Sequence, residues 1–311
     1  MPRNSWILFP GLLAACWLVP VTVALAGEVY VDTQLGDDTF NGRAPKLINE
    51  NTGPVRTLQR GLQRVESGDT LILVNRGEVF TGEISMAGSR FSGVLGKAFV
   101  LEGNGVVLDG SRPIPAAAWV KVKPDLWKFT PMRKGTYLLL VDGKPAPEVP
   151  CPPGAAEIPE LAVGRWCAWH GAIFFRVTTD PFKTPRDMPM SYAAEGTGIT
   201  LLDTQDVVIR NLTVRYYRQD GVNVHDRSRN VILENVTLEA NGRSGLSASG
   251  NSLVGLKGCT LVNNRVAQLL ITERAQVELL KTKLGDAPGR PFSISGGHLL
   301  IDEQEVFAPK K

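Results

Sequence analysis

The chain has 311 residues, 43% of them hydrophobic and 21% charged, with 32 glycines and 21 prolines. That is the composition of an ordered, soluble, β-rich protein and excludes a disordered chain. A formal net charge of +3 is mild, and no Lys/Arg-rich run is interleaved with aromatics, so nucleic acid is not an expected partner.

Residues 1–26 read as an export signal: Arg3 supplies the positive start, Trp6–Val23 the apolar stretch, and Ala24-Leu25-Ala26 a cleavage site before Gly27. Pro10 and Pro20 interrupt the apolar run, against a retained membrane helix. Leu13-Ala14-Ala15-Cys16 also looks like a bacterial lipobox, but cleavage there would leave Trp17–Ala26 as a greasy tail. The expectation is cleavage near Ala26, a secreted or periplasmic protein, and no transmembrane segment in the mature chain. Cys151, Cys167 and Cys259 then remain, and Cys151 with Cys167 is the one plausible disulfide pair.

Residues 27–110 read as an N-terminal cap and first coils. Glu28–Asp32 alternates as a strand, Thr57–Val65 places Leu58, Leu62 and Val65 on one helical face, and strand-like runs follow at 70–74, 99–102 and 106–109. Gly61 in mid-helix costs roughly 1 kcal/mol relative to alanine. Asp32 with Gly36-Asp37-Asp38 can be weighed as a calcium site, but calcium takes six or more oxygens and this reads as a solvated turn.

Residues 111–195 break the pattern with prolines and with Trp119, Trp127, Trp166 and Trp169. Strands are readable at 128–130, 137–141 and 173–177, with a hairpin signal at Asp142-Gly143. The tryptophans fit the core of a small domain better than a sugar-stacking platform, although Trp169, beside His170, is the best candidate for exposure.

Residues 196–311 repeat. Segments beginning at Val207, Val231, Val254 and Val277 are spaced by 24, 23 and 23 residues. A second strip at Val222/Val224, Leu246/Ala248, Leu269/Ile271 and Phe292/Ile294 keeps the step, and apolar residues alternate within each strip. A period in the low twenties built from short alternating strands marks a solenoid whose repeats must stack to bury their apolar faces. Cys259 falls in an inward column, and Asn211 and Asn235 align as a ladder expected to bond backbone groups at a bend.

Asn230–Leu238, Asp220-Gly221-Val222-Asn223-Val224 and Asn241–Leu246 resemble the right-handed parallel β-helix proteins of the pectate lyase-like superfamily. The resemblance implies an all-β, right-handed parallel β-helix, with a short N-terminal helix covering the first coil and a small antiparallel β insertion. It further implies action on an extracellular, acidic polysaccharide, on an outer face of the coil, by a monomer. The richest outward chemistry lies at Tyr216, Tyr217, Arg218, Asp220, His225 and Asp226, with Asn241 and Arg243 one coil later. For β-elimination, which is placed slightly ahead of hydrolysis, Arg218 and Arg243 would clamp a uronate carboxylate and His225 or Tyr217 would move the proton. For hydrolysis, Asp220 and Asp226 are the nearest carboxyl pair. Tyr217, Asp226, Asn241 and Trp169 are the candidate substrate-binding residues.

The Asp-Asp and Gly-His-Gly elements of polygalacturonases are absent, since Asp226 follows His225, and the acidic calcium cluster of pectate lyases has no counterpart. Calcium is left open as a cofactor, and no zinc spacing, phosphate loop or serine-hydrolase elbow is present. A non-catalytic carbohydrate-binding or envelope protein is the alternative to an enzyme, and a phage-spike-like structural trimer comes third.

Overall fold

The computed structural model describes residues 27–178, 180, 182–285 and 288–306. The export signal and Cys16 lie outside these. The chain forms a parallel β-solenoid in which three ladders of strands meet at three corners. Ladder I stacks eight strands among the described residues: Glu28–Val31, Thr70–Leu73, the first halves of Phe99–Asp109, Gln205–Arg215 and Arg229–Glu239, then Leu253–Lys257, and the second halves of Ala267–Leu280 and Arg290–Ile301. Ladder II runs from Val79–Thr81 through the second halves of Phe99–Asp109, Gln205–Arg215 and Arg229–Glu239 to Thr260–Val262 and Lys283–Leu284. Ladder III contains Ile84–Ala87, Ile199–Leu202, Asp220–His225, Ser244–Ala248 and the first halves of Ala267–Leu280 and Arg290–Ile301.

Every inward position continues as a column. In ladder III, Ile84, Ile199, Val222, Leu246, Leu269 and Phe292 follow one another in register. In ladder I the file is Val29, Leu71, Leu101, Ile209, Leu233, Leu256, Leu279 and Ile301, almost all of it inaccessible to solvent. Each such side chain gains roughly 1.5–3 kcal/mol from burial, which no single coil could collect alone. Cys259 takes its place in this core at 1% exposure. Outside, ladder I carries Glu102, Arg210, Glu234 and Lys257 in register, with ion pairs of 2.6 Å for Arg210–Glu102 and 3.7 Å for Lys257–Glu234.

The corner between ladders I and II is one residue long in the coils from Gln205 onward and three, Gly103 to Gly105, in the coil of Phe99–Asp109. Asn104, Asn211, Asn235, Gly258 and Lys281 occupy it with φ between 50° and 62°, a left-handed conformation that asparagine tolerates better than most residues. Asn235 donates to the Oδ1 of Asn211 at 3.4 Å, and Asn211 to Glu102 at 3.0 Å. Asn211 and Asn235 therefore bond side chain to side chain. The backbone-bonding role expected of them is taken at this corner by Asn104, which donates to the Leu73 carbonyl at 3.0 Å, and by other residues at a second corner.

Helix α1 (Leu58–Arg64) starts at Thr57, whose hydroxyl accepts from the Arg60 N–H, and packs on Glu28–Val31 and Ile84–Ala87 at the first coil. Gly61 sits there because the helix lies against the sheet: a Cβ would fall 2.5 Å from Val31 Cγ2 and 3.1 Å from Leu71 Cδ1. The neighbouring acidic turn spends its carboxylates internally. Asp32 is fully buried against Arg76 at 2.7 Å, and Asp38 accepts from the Arg56 and Thr57 N–H groups at 2.9 Å.

Between ladders II and III, after Gly110, the chain leaves the coil and builds two four-stranded antiparallel sheets. One contains Lys144–Pro145, Leu139–Val141, Met190–Ala193 and Ser111–Pro113; the other contains Trp166–Trp169, Ala172–Arg176, Leu126–Phe129 and Val120–Lys123. Trp119, Trp127 and Trp166 are buried in its core at 1–5% exposure. Asp142-Gly143 turns the predicted hairpin with φ of 52° and 71°. Cys151 and Cys167 are free thiols rather than a disulfide. The chain rejoins where Ala194 and Glu195 both donate to the Gly110 carbonyl at 3.0 Å.

Helix propensity and packing make opposite predictions for Gly61→Ala. The contact with Val31 predicts a loss of about 1–3 kcal/mol in denaturant unfolding; a gain would mean that the helix stands off the sheet.

Candidate functional site

The corner between ladders II and III is a polar column inside an apolar one. Tyr217, Asn241 and Asn264 occupy equivalent positions in successive coils. Asn241 accepts from the Tyr217 N–H at 3.1 Å and donates to Val214 O at 3.3 Å and to Asn264 Oδ1 at 3.0 Å. Asn264 donates to Leu238 O at 2.9 Å and to Gln268 Oε1 at 2.8 Å. These buried amides satisfy backbone groups that the corner leaves unpaired. At 1% exposure Asn241 is part of the scaffold, set in the wall of the cleft described below.

Other predicted site residues are likewise engaged. Tyr217 is fully buried, donates to the Gly82 carbonyl at 2.6 Å, and burial pushes its phenol far above its ordinary pKa. It cannot move protons on a substrate outside. Asp220, fully buried, accepts from both Nε (2.8 Å) and Nη2 of Arg243, from Ser244 Oγ at 2.6 Å and from Asn223 Nδ2 at 3.2 Å. Arg218, 9% exposed, donates to the carbonyls of Ala194 at 3.2 Å and Lys134 at 3.0 Å. The two arginines expected to clamp a uronate are thus a buried carboxylate's partner and a tether for the insertion.

His225 and Asp226 lie at the other end of the strand that Asp220 begins. Five residues of extended chain separate Asp220 from His225, roughly 16 Å, so the cluster that looked compact in sequence is split in space. The same distance defeats Asp220 and Asp226 as a hydrolytic pair, which needs about 5–10 Å. His225 Nδ1 stands 3.6 Å from Asp226 Oδ2, beyond a good hydrogen bond. Trp169, in the insertion, is half-buried, donates to Ala155 O at 3.0 Å and stands edge-on to His170 at 4.1 Å. It lines a separate depression with Cys151 and Pro152.

The structure instead assembles a cleft of about 590 Å³ where the insertion leans over the coil. Arg218 and Arg265 stand in one column with Gly242 between them, and Arg265 donates to the Tyr137 carbonyl at 3.4 Å and to Glu148 at 2.7 Å. Gly242 lets the insertion approach, since a Cβ there would lie 2.3 Å from Arg218 O and 3.0 Å from Thr136 Cγ2. Glu148 is held by a bridge to Trp166, with the Val149 N–H given to Trp166 O at 2.7 Å. Burial raises its carboxyl above the ordinary glutamate range, and Arg265 only partly offsets this. Glu239 and Tyr216 line the coil side; Trp166 and Pro150 contribute the insertion side. Glu239 faces Arg215 at 3.9 Å, while Arg215 is held by Asp109 at 2.9 Å and lies over the Tyr216 ring at 4.7 Å.

Glu148, Glu239 and Arg265 were not singled out from the sequence. The repeat step does carry a signal for Arg265, which follows Arg218 and Gly242 at the same position of successive coils. Nothing local marks Glu148. A carboxyl raised by burial in a concave site that a second carboxyl also lines is an arrangement suited to general acid chemistry. Among the described residues, no three His, Cys, Asp or Glu side chains are placed to hold a metal ion.

Comparison with known proteins agrees with the architecture. Residues 190–294 match the family model for the right-handed beta helix region. No curated protein matches the sequence. A solved structure described as a glycoside hydrolase superposes with a TM-score of 0.55 at 13% identity, covering 81% of this chain and 72% of its own. A second, described as the complex structure of XylC with xylose, gives 0.43 at 10% identity over 86% and 65%. At 13% identity the likeness to the first is one of fold. The chain is a right-handed parallel β-helix protein carrying an antiparallel β insertion.

Asp220→Asn removes charge-assisted bonds inside the coil and is expected to cost about 1–3 kcal/mol in urea unfolding. Loss of glycan cleavage at unchanged stability would return Asp220 to the chemistry.

Proposed function

We propose that this protein is exported, works as a monomer, and hydrolyses glycosidic bonds of a polysaccharide in the cleft between coil and insertion. The observation that carries the reading is the placement of Glu148: a partly buried carboxyl with a raised pKa, in the same cleft as Glu239. A carboxyl whose pKa is raised by burial holds its proton to higher pH than an exposed glutamate and can give it to the leaving glycosidic oxygen, and a second carboxylate can then serve water or the anomeric carbon. The parallel β-helix fold is compatible with this and does not decide it.

β-Elimination is placed second. It needs a cation to neutralise the uronate and stabilise the developing charge, and Arg218 and Arg243 have other partners. A non-catalytic glycan binder is favoured by one observation, the 2.7 Å ion pair between Glu148 and Arg265, which would also serve a rigid binding surface. No helix among the described residues is long and apolar enough to cross a membrane. The export reading rests on the signal-like segment 1–26.

Incubation with a panel of polysaccharides is expected to release new reducing ends without absorbance near the ultraviolet edge. Glu148→Gln is expected to slow release by about 10²–10⁴-fold, the usual contribution of a general acid. Because the acid must be protonated, activity is expected to fall as pH rises through the raised Glu148 pKa. New ultraviolet absorbance would establish elimination instead, and retention on a glycan array without either product would establish binding.

N-terminal sequencing of the exported protein is expected to begin at Gly27. A blocked, lipid-modified Cys16 would replace cleavage after Ala26 with lipoprotein processing.

A further inference from the structure

The charge balance of the cleft points to the substrate class. Among the described residues that line it, Glu148, Glu239 and Arg265 are ionisable. The one cation is committed on both arms: Nη2 to Glu148 at 2.7 Å and Nη1 to the Tyr137 carbonyl at 3.4 Å. Glu239 has only the outer reach of Arg215 at 3.9 Å, and Arg215 is already bonded to Asp109 at 2.9 Å. A carboxylate entering this space would meet Glu239 with no uncommitted cation in the lining, in a recess where charge is poorly hydrated. An uncharged sugar meets a different surface. Pro145, Ala146 and Pro150 offer apolar contact to its C–H faces, and Glu239 and Asn263 can bond its hydroxyls.

We propose that the cleft takes an uncharged glycan segment and discriminates against uronates. This rests on the cleft being the glycan site and narrows the acidic polysaccharide expected from the sequence resemblance to a neutral one. The specificity-determining residue is Glu239, whose negative charge is the least neutralised in the lining. Discrimination of this kind comes from a repulsive element as much as from attraction.

The test uses matched pairs of polymers: several uronate polysaccharides and the same preparations after carbodiimide activation and borohydride reduction, which turns each carboxylate into a hydroxymethyl group at constant linkage and length. Retention by the full protein and release of reducing ends are both measured. The carboxyl-reduced member of each recognised pair is expected to be retained at least tenfold better. Glu239→Gln is expected to shrink that ratio by raising retention of the uronate member, an effect that a merely structural Glu239 would not produce. Equal or better retention of the native uronate polymers overturns the proposal, as does a ratio unchanged in Glu239→Gln. Selective retention of reduced polymers without cleavage supports the proposal while overturning hydrolysis. No retention of any polymer in either form overturns both.

Discussion

Each winding of this chain exposes more apolar surface than it can cover. A coil of 23 or 24 residues has an inward face only a few side chains wide, and that face becomes dry only when another coil lies on it. The files from Val29 to Ile301 and from Ile84 to Phe292 meet this requirement, and the ends of the stack are where it becomes demanding. Helix α1 meets it at the start, at a distance so short that residue 61 has no room for a side chain. Stacking also dictates the corners, because every coil must bend at the same height as its neighbours. Hence the left-handed residues recur in files, and the amides of Asn241 and Asn264 bond between coils inside the wall, with Gln268 accepting from Asn264 in its own coil.

The insertion is held by the same logic of equivalent positions. It leaves and re-enters at one corner, and the residues that grip it, Arg218 and Arg265, occupy that corner two coils apart. Their guanidinium groups bond main-chain carbonyls of the insertion, which fixes its position without depending on which side chains it carries. Gly242 between them removes the bulk that would hold the two bodies apart. The width of the cleft is therefore set by the coil spacing.

The architecture was legible because a period is a long-range signal: four repeats at nearly constant step constrain one another in a way that no single strand does. The corner residue was less visible. Val207 and Ile209 face inward in one ladder and Leu212 and Val214 in the next, so the alternation slips by one residue at Asn211, whose left-handed backbone resets the phase. The candidate site was hardly legible. Nearness in sequence was read as nearness in space for Arg218, Asp220 and His225, yet an extended strand carries consecutive residues apart by about 3.3 Å each. Conversely, Glu148 and Arg265 meet across 117 residues, a contact created by the docking of the insertion, which no periodicity encodes. Polar residues at recurring corners, such as Asn241, looked like surface chemistry because the repeat shows which residues align but not which of them turn inward.

A parallel sheet alone is a poor place for chemistry on a polymer. The outward column of ladder III, with Thr200, Asn223, Ser247, Leu270 and Ser293 in register, is a shallow surface of mostly small side chains, where water competes for every bond. Concavity requires a second wall, and among the described residues the insertion supplies one over a recess lined by Glu148 and Glu239. Anchoring that wall has an electrostatic consequence. Arginines suit the task because one planar group can bond carbonyls and a carboxylate together, and Arg265 does both. Once so engaged they no longer offer a free positive charge to a ligand. The interaction that builds the recess thus also removes the cations an acidic sugar would need, and the carboxylate left facing the recess is the one least neutralised by its neighbours. Architecture and specificity share a cause: the residues that hold the insertion down decide what charge remains beneath it.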